Sequence, residues 1–218
     1  IILPVMFLVW LQDKHSPFYI APRVGKNNVK FNMVKLRSMV INADKSKIDS
    51  TSSNDCRITN IGKFIRKFKL DEITQLWNVL IGDMSLVGPR PNVARETELY
   101  TEVERKLLTV KPGITDFASI VFSDEGDILN DKEDPDLSYN QLIRPWKSRL
   151  GIAYIENRSL IMDFKLIIFT IVAIASRQHA LNCVVNELKK LKVAKDLIEI
   201  ARRQKELEPC APPGAEGV

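Results

Sequence analysis

The sequence predicts an α/β fold dominated by helices. Several segments place apolar residues at the i, i+3, i+4 and i+7 spacing of a helix with one buried face, whereas residues 20–41 are typical of short extended pieces around a turn at 25–28. With 218 residues, 45% of them hydrophobic, the chain is long enough for one sizeable domain with appended segments. We therefore expect a single, mostly helical domain.

The chain opens with an apolar run over residues 1–11 that includes Pro4. As a helix this run would be about 16 Å long, roughly half of a hydrocarbon core about 30 Å thick, and Pro4 would break or kink a helix that continued upstream. We expect residues 1–19 to form a membrane-associated segment, re-entrant or interfacial, so that the domain lies at a membrane surface. A buried core helix is the alternative.

The middle of the chain contains the clearest helical pattern. Residues 42–57 are typical of an exposed loop, and residues 61–69 of an amphipathic helix that carries four cations. The next helix is expected to begin at Asp71 and to end at Gly82, with a buried apolar face. That face consists of Ile73, Leu76, Trp77 and Leu80.

The following segments alternate between loops and helices. Residues 83–92 and 111–113 are typical of turns or loops, residues 95–108 of a charged helix, and residues 122–140 of an acidic surface excursion. A second short apolar run over residues 166–175 suits an interface or a core.

The C-terminal part is predicted to form a basic amphipathic helix over residues 181–208. Such a helix binds a membrane surface or a partner, or else packs on the domain with its charged faces in solvent. Residues 209–218 have the composition of a disordered tail. The predicted organisation is therefore a hydrophobic segment at 1–19, a main domain at 20–180, the basic helix and the tail.

Composition and motifs exclude several common kinds of site. Cys56, Cys183 and Cys210 form no CxxC pair, which argues against a disulfide framework or a zinc knuckle and favours a reducing compartment. Two histidines are present, and neither GxxxxGK[ST] nor GxGxxG occurs. The net charge of +5 predicts a surface that attracts anions. Any phosphate chemistry here must therefore use another arrangement.

Two adjacent acids, Asp71 and Glu72, stand at the predicted start of the central helix. A helix N-terminus favours an ionised carboxylate, so Asp71 is either an ordinary helix cap or a ready nucleophile. Arg90 lies between two prolines that stiffen its loop, where its guanidinium suits a bidentate phosphate contact or a structural salt bridge. Adjacent carboxylates beside phosphates also indicate Mg²⁺, with Asp83 as a weaker third candidate.

The segment from Lys69 to Pro91 resembles the core motif of the bacterial sugar transferases, the monotopic polyprenyl-phosphate phosphoglycosyl transferases. It contains the acid pair and ends in Gly-Pro-Arg-Pro. The resemblance covers about residues 1–175. Further matches, in the family's order, are Lys35–Met39, Lys111–Thr115, and Tyr154 through Ser159-Leu160 to Asp163.

The resemblance implies a transferase that moves a sugar 1-phosphate from a UDP-sugar to polyprenyl phosphate, in bacteria undecaprenyl phosphate, and releases UMP. It implies that Asp71 is the nucleophile and forms an aspartyl phosphosugar, and that Glu72 is a metal ligand or an acid/base group. Mg²⁺ is the implied cofactor, held by Asp71 and Glu72. The implied substrate contacts are Arg66 and Arg90 for phosphates, with Lys35, Arg37 and Lys111 as further candidates.

The resemblance also implies a location and a biological context. The family is monotopic, so we expect residues 20–180 to form the catalytic domain on the cytoplasmic face of the bacterial inner membrane. Pro4 and the apolar run after it look like the second half of the family's re-entrant helix. Such an enzyme performs the first membrane step of glycoconjugate biosynthesis, needs no nucleic acid, and is compatible with a homo-oligomer.

Two observations limit the resemblance. The segment Asp116-Phe117-Ala118-Ser119 stands where the family has Gly-Trp-Ala-Gln, so the family's sugar and nucleotide contacts are not carried over to it. The alternative from another class is a non-enzymatic basic module that binds an anionic membrane or nucleic acid through residues 61–69 and the C-terminal helix. Nucleic acid is disfavoured, because the basic stretches carry core-spaced Phe and Ile and no recognised nucleic-acid motif.

Overall fold

The computed structural model describes residues 2–43 and 50–215, and over these residues the prediction of a mostly helical α/β fold is confirmed. Its strands form two two-stranded sheets: β1 (Phe18–Val24) with β2 (Lys30–Leu36), and β3 (Ser85–Val87) with β4 (Gly113–Thr115). The helices are α1 (Ile2–Asp13), α2 (Asn60–Lys67), α3 (Leu70–Ile73), α4 (Leu76–Leu80), α5 (Ala94–Glu98), α6 (Phe117–Val121), α7 (Glu125–Ile128), α8 (Pro135–Ser138), α9 (Arg144–Glu156), α10 (Leu160–Ala175), α11 (Arg177–Lys190) and α12 (Lys195–Arg202).

The hairpin predicted around residues 25–28 is present. Strands β1 and β2 pair antiparallel in a register that runs from Phe18 opposite Leu36 to Val24 opposite Lys30. Of the loop predicted at 42–57, residues 44–49 lie outside the described residues.

The second sheet was not predicted. Strands β3 and β4 pair in parallel, with Ser85 opposite Gly113 and Val87 opposite Thr115, in segments that the sequence assigns to turns and loops. Gly88 and Gly113 permit a very close backbone approach beside this pair, because a Cβ on Gly113 would lie 2.1 Å from the Gly88 nitrogen. Strands of three residues carry too little alternation to be recognised from sequence.

The central helix differs from the prediction in both continuity and burial. It is divided into α3 and α4 at Thr74–Gln75, although Gly82 ends it as expected, with a φ of +90°. Leu76, Trp77 and Leu80 are 48%, 56% and 78% exposed, so the expected buried apolar face is wrong. The residue of α4 that is buried is Asn78.

Two further segments also differ from their predictions. The charged helix expected over 95–108 is divided into α5 and a 3₁₀ segment, Glu104–Thr109. The expected surface excursion over 122–140 contributes core residues, since Phe122, Leu129 and Tyr139 are buried. Its acidic residues lie at the surface around these apolar positions, which an overall composition cannot reveal.

The main hydrophobic core is built between α6, α9, α10, α11 and α12, with Leu150, Leu166 and Leu188 fully buried. The basic C-terminal segment is therefore two helices joined by a turn, whose apolar sides pack on the domain. The proposed boundary at residue 180 falls inside α11, and the division into domains stays a prediction. Residues 209–215, expected to be disordered, lie against the domain instead: the Cys210 amide donates to Gln141 O and Thr101 Oγ1 donates to Pro213 O.

The N-terminal helix α1 buries one narrow side. Val5 and Val9 pack with Leu36 of β2 and Ile65 of α2, and Leu70 of α3 is packed against the same cluster. Its other side is exposed and apolar, as at Leu3 (76%) and Phe7 (58%). Within residues 2–43 and 50–215, no helix combines the length and apolar content needed to cross a bilayer.

Candidate active site

A sharp turn between α2 and α3 presents the acid pair. The Thr59 hydroxyl caps α2 by accepting from the Gly62 amide, and the helix runs to Lys67. Lys69 then adopts a left-handed conformation (φ 52°) and occupies the N-cap position of α3. Asp71 and Glu72 consequently lie in the first turn of α3, so the interpretation of Asp71 as the helix cap is wrong.

Glu72 is paired with Arg90. Arg90 Nη1 donates a 2.6 Å hydrogen bond to Glu72 Oε1, and the two side chains are 29% and 17% exposed. Burial by itself raises the pKa of Glu72, but the charges of Arg90, Lys69 and Lys35 outweigh it and hold the pKa below its ordinary value. The Glu72 charge in turn raises the pKa of Arg90. The predicted salt bridge of Arg90 is therefore present, and it involves the acid pair.

The pKa of Asp71 is shifted in the opposite direction to that of Glu72. Burial raises its pKa above the ordinary value, and the neighbouring Glu72 charge adds to that rise, while Lys35, Arg66 and Arg90 act against it. Two adjacent carboxylates whose pKa values are shifted in opposite directions are typical of acid pairs with different chemical roles.

Three cations complete the surroundings of Asp71. Lys35, on β2, has its pKa lowered to about 8, chiefly by burial and then by Arg90, with Asp71 and Glu72 acting in the other direction. Arg66, in the last turn of α2, donates from Nε to Ser38 Oγ at 3.0 Å, and burial lowers its pKa while the Asp71 charge opposes the change. These two cations and Arg90 therefore lie close enough to Asp71 to influence its charge.

The structure does not bring every predicted residue to this place. Arg37 contacts the end of α1, where its guanidinium donates to both Asp13 carboxylate oxygens and to Ser16 O. The expected substrate contact of Arg37 stays a prediction. The Lys111 amino group lies beside Gly82, because a Cβ added there would be 3.6 Å from Lys111 Nζ. Asp83 Oδ2 faces Asn78 Nδ2 at 3.4 Å.

Residues that the sequence did not predict as site residues lie near Glu72 or near Arg90. Lys69 contributes to the lowered pKa of Glu72, and its own pKa is lowered by burial. A small cavity of about 40 Å³ lies beside Arg90 and is also lined by Asp116 and Lys147. Asp116 is buried, caps α6 through Ser119, and has its pKa raised by burial. The available sequence signal was its place in the segment 116–119, where this chain differs from the family.

The acid pair has the donor chemistry for a hard cation but does not form a complete cage. Over the described ranges, no group of three or more His, Cys, Asp or Glu side chains could hold a metal ion. Mg²⁺ in phosphate-handling sites commonly takes one or two carboxylates and completes its shell with phosphate oxygens and water. Asp71 and Glu72 fit that pattern.

One known protein family matches most of this chain. The family model for bacterial sugar transferases matches residues 1–177, which include α1 and every site residue named above. The chain therefore belongs to the bacterial sugar transferase family.

Three relatives illustrate the match. The chain is 36% identical over 171 residues to the galactosyl transferase CpsE of Streptococcus agalactiae, covering 73% of this chain and 35% of that protein. It is 33% identical to the UDP-glucose:undecaprenyl-phosphate glucose-1-phosphate transferase of Klebsiella pneumoniae (78% and 35%), and 32% identical to the exopolysaccharide production protein ExoY of Sinorhizobium fredii (78% and 75%). The chain thus spans about a third of the length of the first two.

Proposed function

We propose that the protein transfers a sugar 1-phosphate from a UDP-sugar to a polyprenyl phosphate such as undecaprenyl phosphate, and releases UMP. The observation that carries the proposal is the half-buried acid pair Asp71–Glu72, set among Lys35, Arg66 and Arg90 in a chain of this family. The relative from Klebsiella pneumoniae is named for such a transfer with glucose, whereas CpsE is named for galactose. The proposal is therefore for the class of UDP-sugars.

The reaction is proposed to proceed in two steps through Asp71. A carboxylate oxygen of Asp71 attacks the sugar-bearing phosphorus, a new O–P bond forms, and UMP leaves with the bridging oxygen and its electron pair. The protein then carries an aspartyl phosphosugar. An oxygen of the polyprenyl phosphate attacks the same phosphorus, the Asp71 carboxylate leaves, and polyprenyl-diphospho-sugar is released.

The cations are proposed to position the donor and offset its charge. Arg90 is held on a stiff loop by its prolines and by Glu72, which suits a fixed phosphate contact. Arg66 and Lys35 approach Asp71 from α2 and β2 and lower the repulsion between a carboxylate and a diphosphate. Lys111, beside Gly82, is proposed as a more peripheral contact of the substrate.

Asp71 and Glu72 would also hold Mg²⁺ together with the diphosphate of the donor. When bound, Mg²⁺ supplies positive charge that screens the carboxylate from the diphosphate. Glu72 remains ionised through its lowered pKa and is suited to this role as well as to holding Arg90.

Exposed apolar side chains support a position at a membrane surface. They lie on α1, on α4 beside the acid pair, and along α10, and a surface of this kind is unusual on a monomer that faces only water. On α10 they are Leu160, Ile161, Phe164, Ile168, Ile171 and Ile174. We propose that the protein is monotopic, on the cytoplasmic face of the inner membrane, where Leu70 links the α1 cluster to the acid pair. A homo-oligomer is compatible with this arrangement.

The alternative of a non-enzymatic basic module is disfavoured, because the family match covers both the acid pair and the basic helix α2. The deciding experiment incubates the purified protein with Mg²⁺, a panel of UDP-sugars and polyprenyl phosphate, and measures UMP. Asp71→Asn is expected to abolish release, and the matched control Asp131→Asn, at an exposed aspartate, to retain it. Release by Asp71→Asn at the wild-type rate would rule out the proposed nucleophile.

A further inference from the structure

Side chains of α4 and of the junction between α3 and α4 form hydrogen bonds with the outer edge of β2. On one side β2 pairs with β1, where Val34 stands opposite Ile20. On the other side Asn78 Oδ1 accepts from the Val34 amide at 2.9 Å, and Asn78 Nδ2 donates to Asn32 O at 2.8 Å. These are the two hydrogen bonds that a residue of a parallel neighbouring strand would make. The Asn78 side chain therefore replaces a third strand of the sheet.

Thr74 adds a third bond to the same edge. Its hydroxyl lies 3.0 Å from Val34 O and 3.1 Å from Asp71 O, so the hydroxyl bridges the strand and the backbone of the acid pair. The backbone amide of Val34 is thus bonded by Asn78 of α4, and its carbonyl by Thr74 at the junction of α3 and α4. The next residue along the strand is Lys35, whose charge acts on Asp71 and Glu72.

The burial of the Asn78 side chain indicates a hydrogen-bonding role and not only the filling of space. Asn78 is fully buried, and a buried amide is tolerated where its hydrogen bonds are satisfied. The neighbouring positions of α4, Leu76 and Trp77, are exposed, and the apolar contact of α4 with the hairpin is made by Val79, which packs against a cluster that includes Met33 of β2. The directional hydrogen bonds of Asn78 fix the strand in addition to this contact.

We infer that Asn78, together with Thr74, is a positioning residue: by bonding the outer edge of β2 the two side chains hold the strand, and with it Lys35, beside the backbone of the Asp71–Glu72 pair. This inference rests on the proposed function for its consequence in catalysis. The placement of Lys35 is independent of the proposed function.

The placement is tested without any substrate. A carbodiimide activates a carboxylate and joins it directly to an amine that can reach it, and the cross-link is located by peptide mass analysis. We expect a Lys35 link to Asp71 or Glu72 in the wild type and in Thr74→Ser, and its loss or marked reduction in Thr74→Val and Asn78→Leu. The link between Lys165 and Glu187, which lie 2.6 Å apart on α10 and α11, serves as the internal control and should not change. An undiminished Lys35 link in Thr74→Val would overturn the inference, even if Asn78→Leu fails to fold.

The consequence in catalysis is tested by single-turnover release of UMP, with rates expressed per folded protein. Displacement of Lys35 should lower the rate at saturating donor by roughly 10- to 100-fold in Thr74→Val, with the donor KM little changed and the rate restored in Thr74→Ser. A wild-type rate in Thr74→Val would mean that the bonds support the fold alone. If the wild type itself releases no UMP, the proposed function fails, and the cross-link still decides the placement.

Discussion

Arg90 Nη1 donates a 2.6 Å hydrogen bond to Glu72 Oε1, and this contact gives Glu72 a different environment from the adjacent Asp71. Glu72 is neutralised by Arg90 and its pKa is lowered, while the pKa of the adjacent Asp71 is raised by burial. Glu72 is thereby held in an ion pair, and Asp71 is the carboxylate proposed to act as the nucleophile.

Replacement of Arg90 should therefore impair catalysis. Arg90→Ala removes a phosphate donor and leaves Glu72 without its partner, so kcat/KM should fall by about 10²- to 10³-fold. Arg90→Lys keeps the charge but loses the planar fork and should be only partly active. Steady-state UMP release measures both. Arg105→Ala removes an arginine from an exposed pair with Glu102 and should behave as wild type; equal losses in Arg90→Ala and Arg105→Ala would contradict the assignment.

Asp71 should cost the protein stability at neutral pH. A carboxyl whose pKa is higher in the folded than in the unfolded state destabilises the fold increasingly as pH rises from the unfolded-state pKa through the folded-state pKa. Asp71→Asn should thus raise the free energy of unfolding by about 0.5–2 kcal/mol while abolishing UMP release. Urea unfolding at pH 7 measures the change, and a destabilised Asp71→Asn protein would argue against a strained, functional carboxylate.

Lys35 should give the stability a distinct dependence on alkaline pH. Its pKa is about 8 in the folded state against an ordinary 10.5, so the unfolded chain binds the proton more tightly. Below pH 8 the cost of the buried charge is fully present, and it disappears as the pH rises from about 8 to 10.5. The free energy of unfolding of the wild type should therefore rise relative to that of Lys35→Met across this window. Parallel pH curves for the two proteins would show that Lys35 is not buried.

The apolar face of α10 should bind lipid. Burial of one large apolar side chain contributes about 1.5–3 kcal/mol, so Phe164→Glu or Ile171→Glu should weaken binding to phospholipid vesicles by at least about tenfold. Flotation with vesicles measures the bound fraction. Leu137→Glu changes a side chain of similar exposure (52%) on α8 and is the control. Equal weakening by the control would show that α10 has no special part in the contact.

The helix pattern around residues 71–82 shows what sequence periodicity can and cannot decide. Ile73, Leu76, Trp77 and Leu80 have the spacing of one helix face, and helices do form there. Periodicity does not tell whether the face meets the protein core or another apolar medium, and here Leu80 is 78% exposed. At the break between the two helices, Thr74 bonds Val34, 40 positions earlier, a contact that no local pattern contains.

Only part of the candidate site could be predicted, because the sequence does not show which distant residues come into contact. Asp71, Glu72 and Arg90 are close in sequence and in a distinctive motif, and the structure brings them together. Arg37 has an equally suitable side chain, but its charge is taken up by Asp13, 24 positions away. A residue's chemistry is visible in the sequence, whereas its partner depends on the fold. The sheet of β3 and β4, in which β3 ends three residues before Arg90, depends on the fold in the same way.

The most direct test of the account is to mix the protein with Mg²⁺ and an accepted UDP-sugar in the absence of polyprenyl phosphate, quench the mixture, and analyse the peptides by mass. The account predicts an added mass of one sugar phosphate on Asp71, formed with release of one UMP, removed by polyprenyl phosphate, and absent from Asp71→Asn. Turnover with no adduct at Asp71, or with the adduct on another residue, would contradict it.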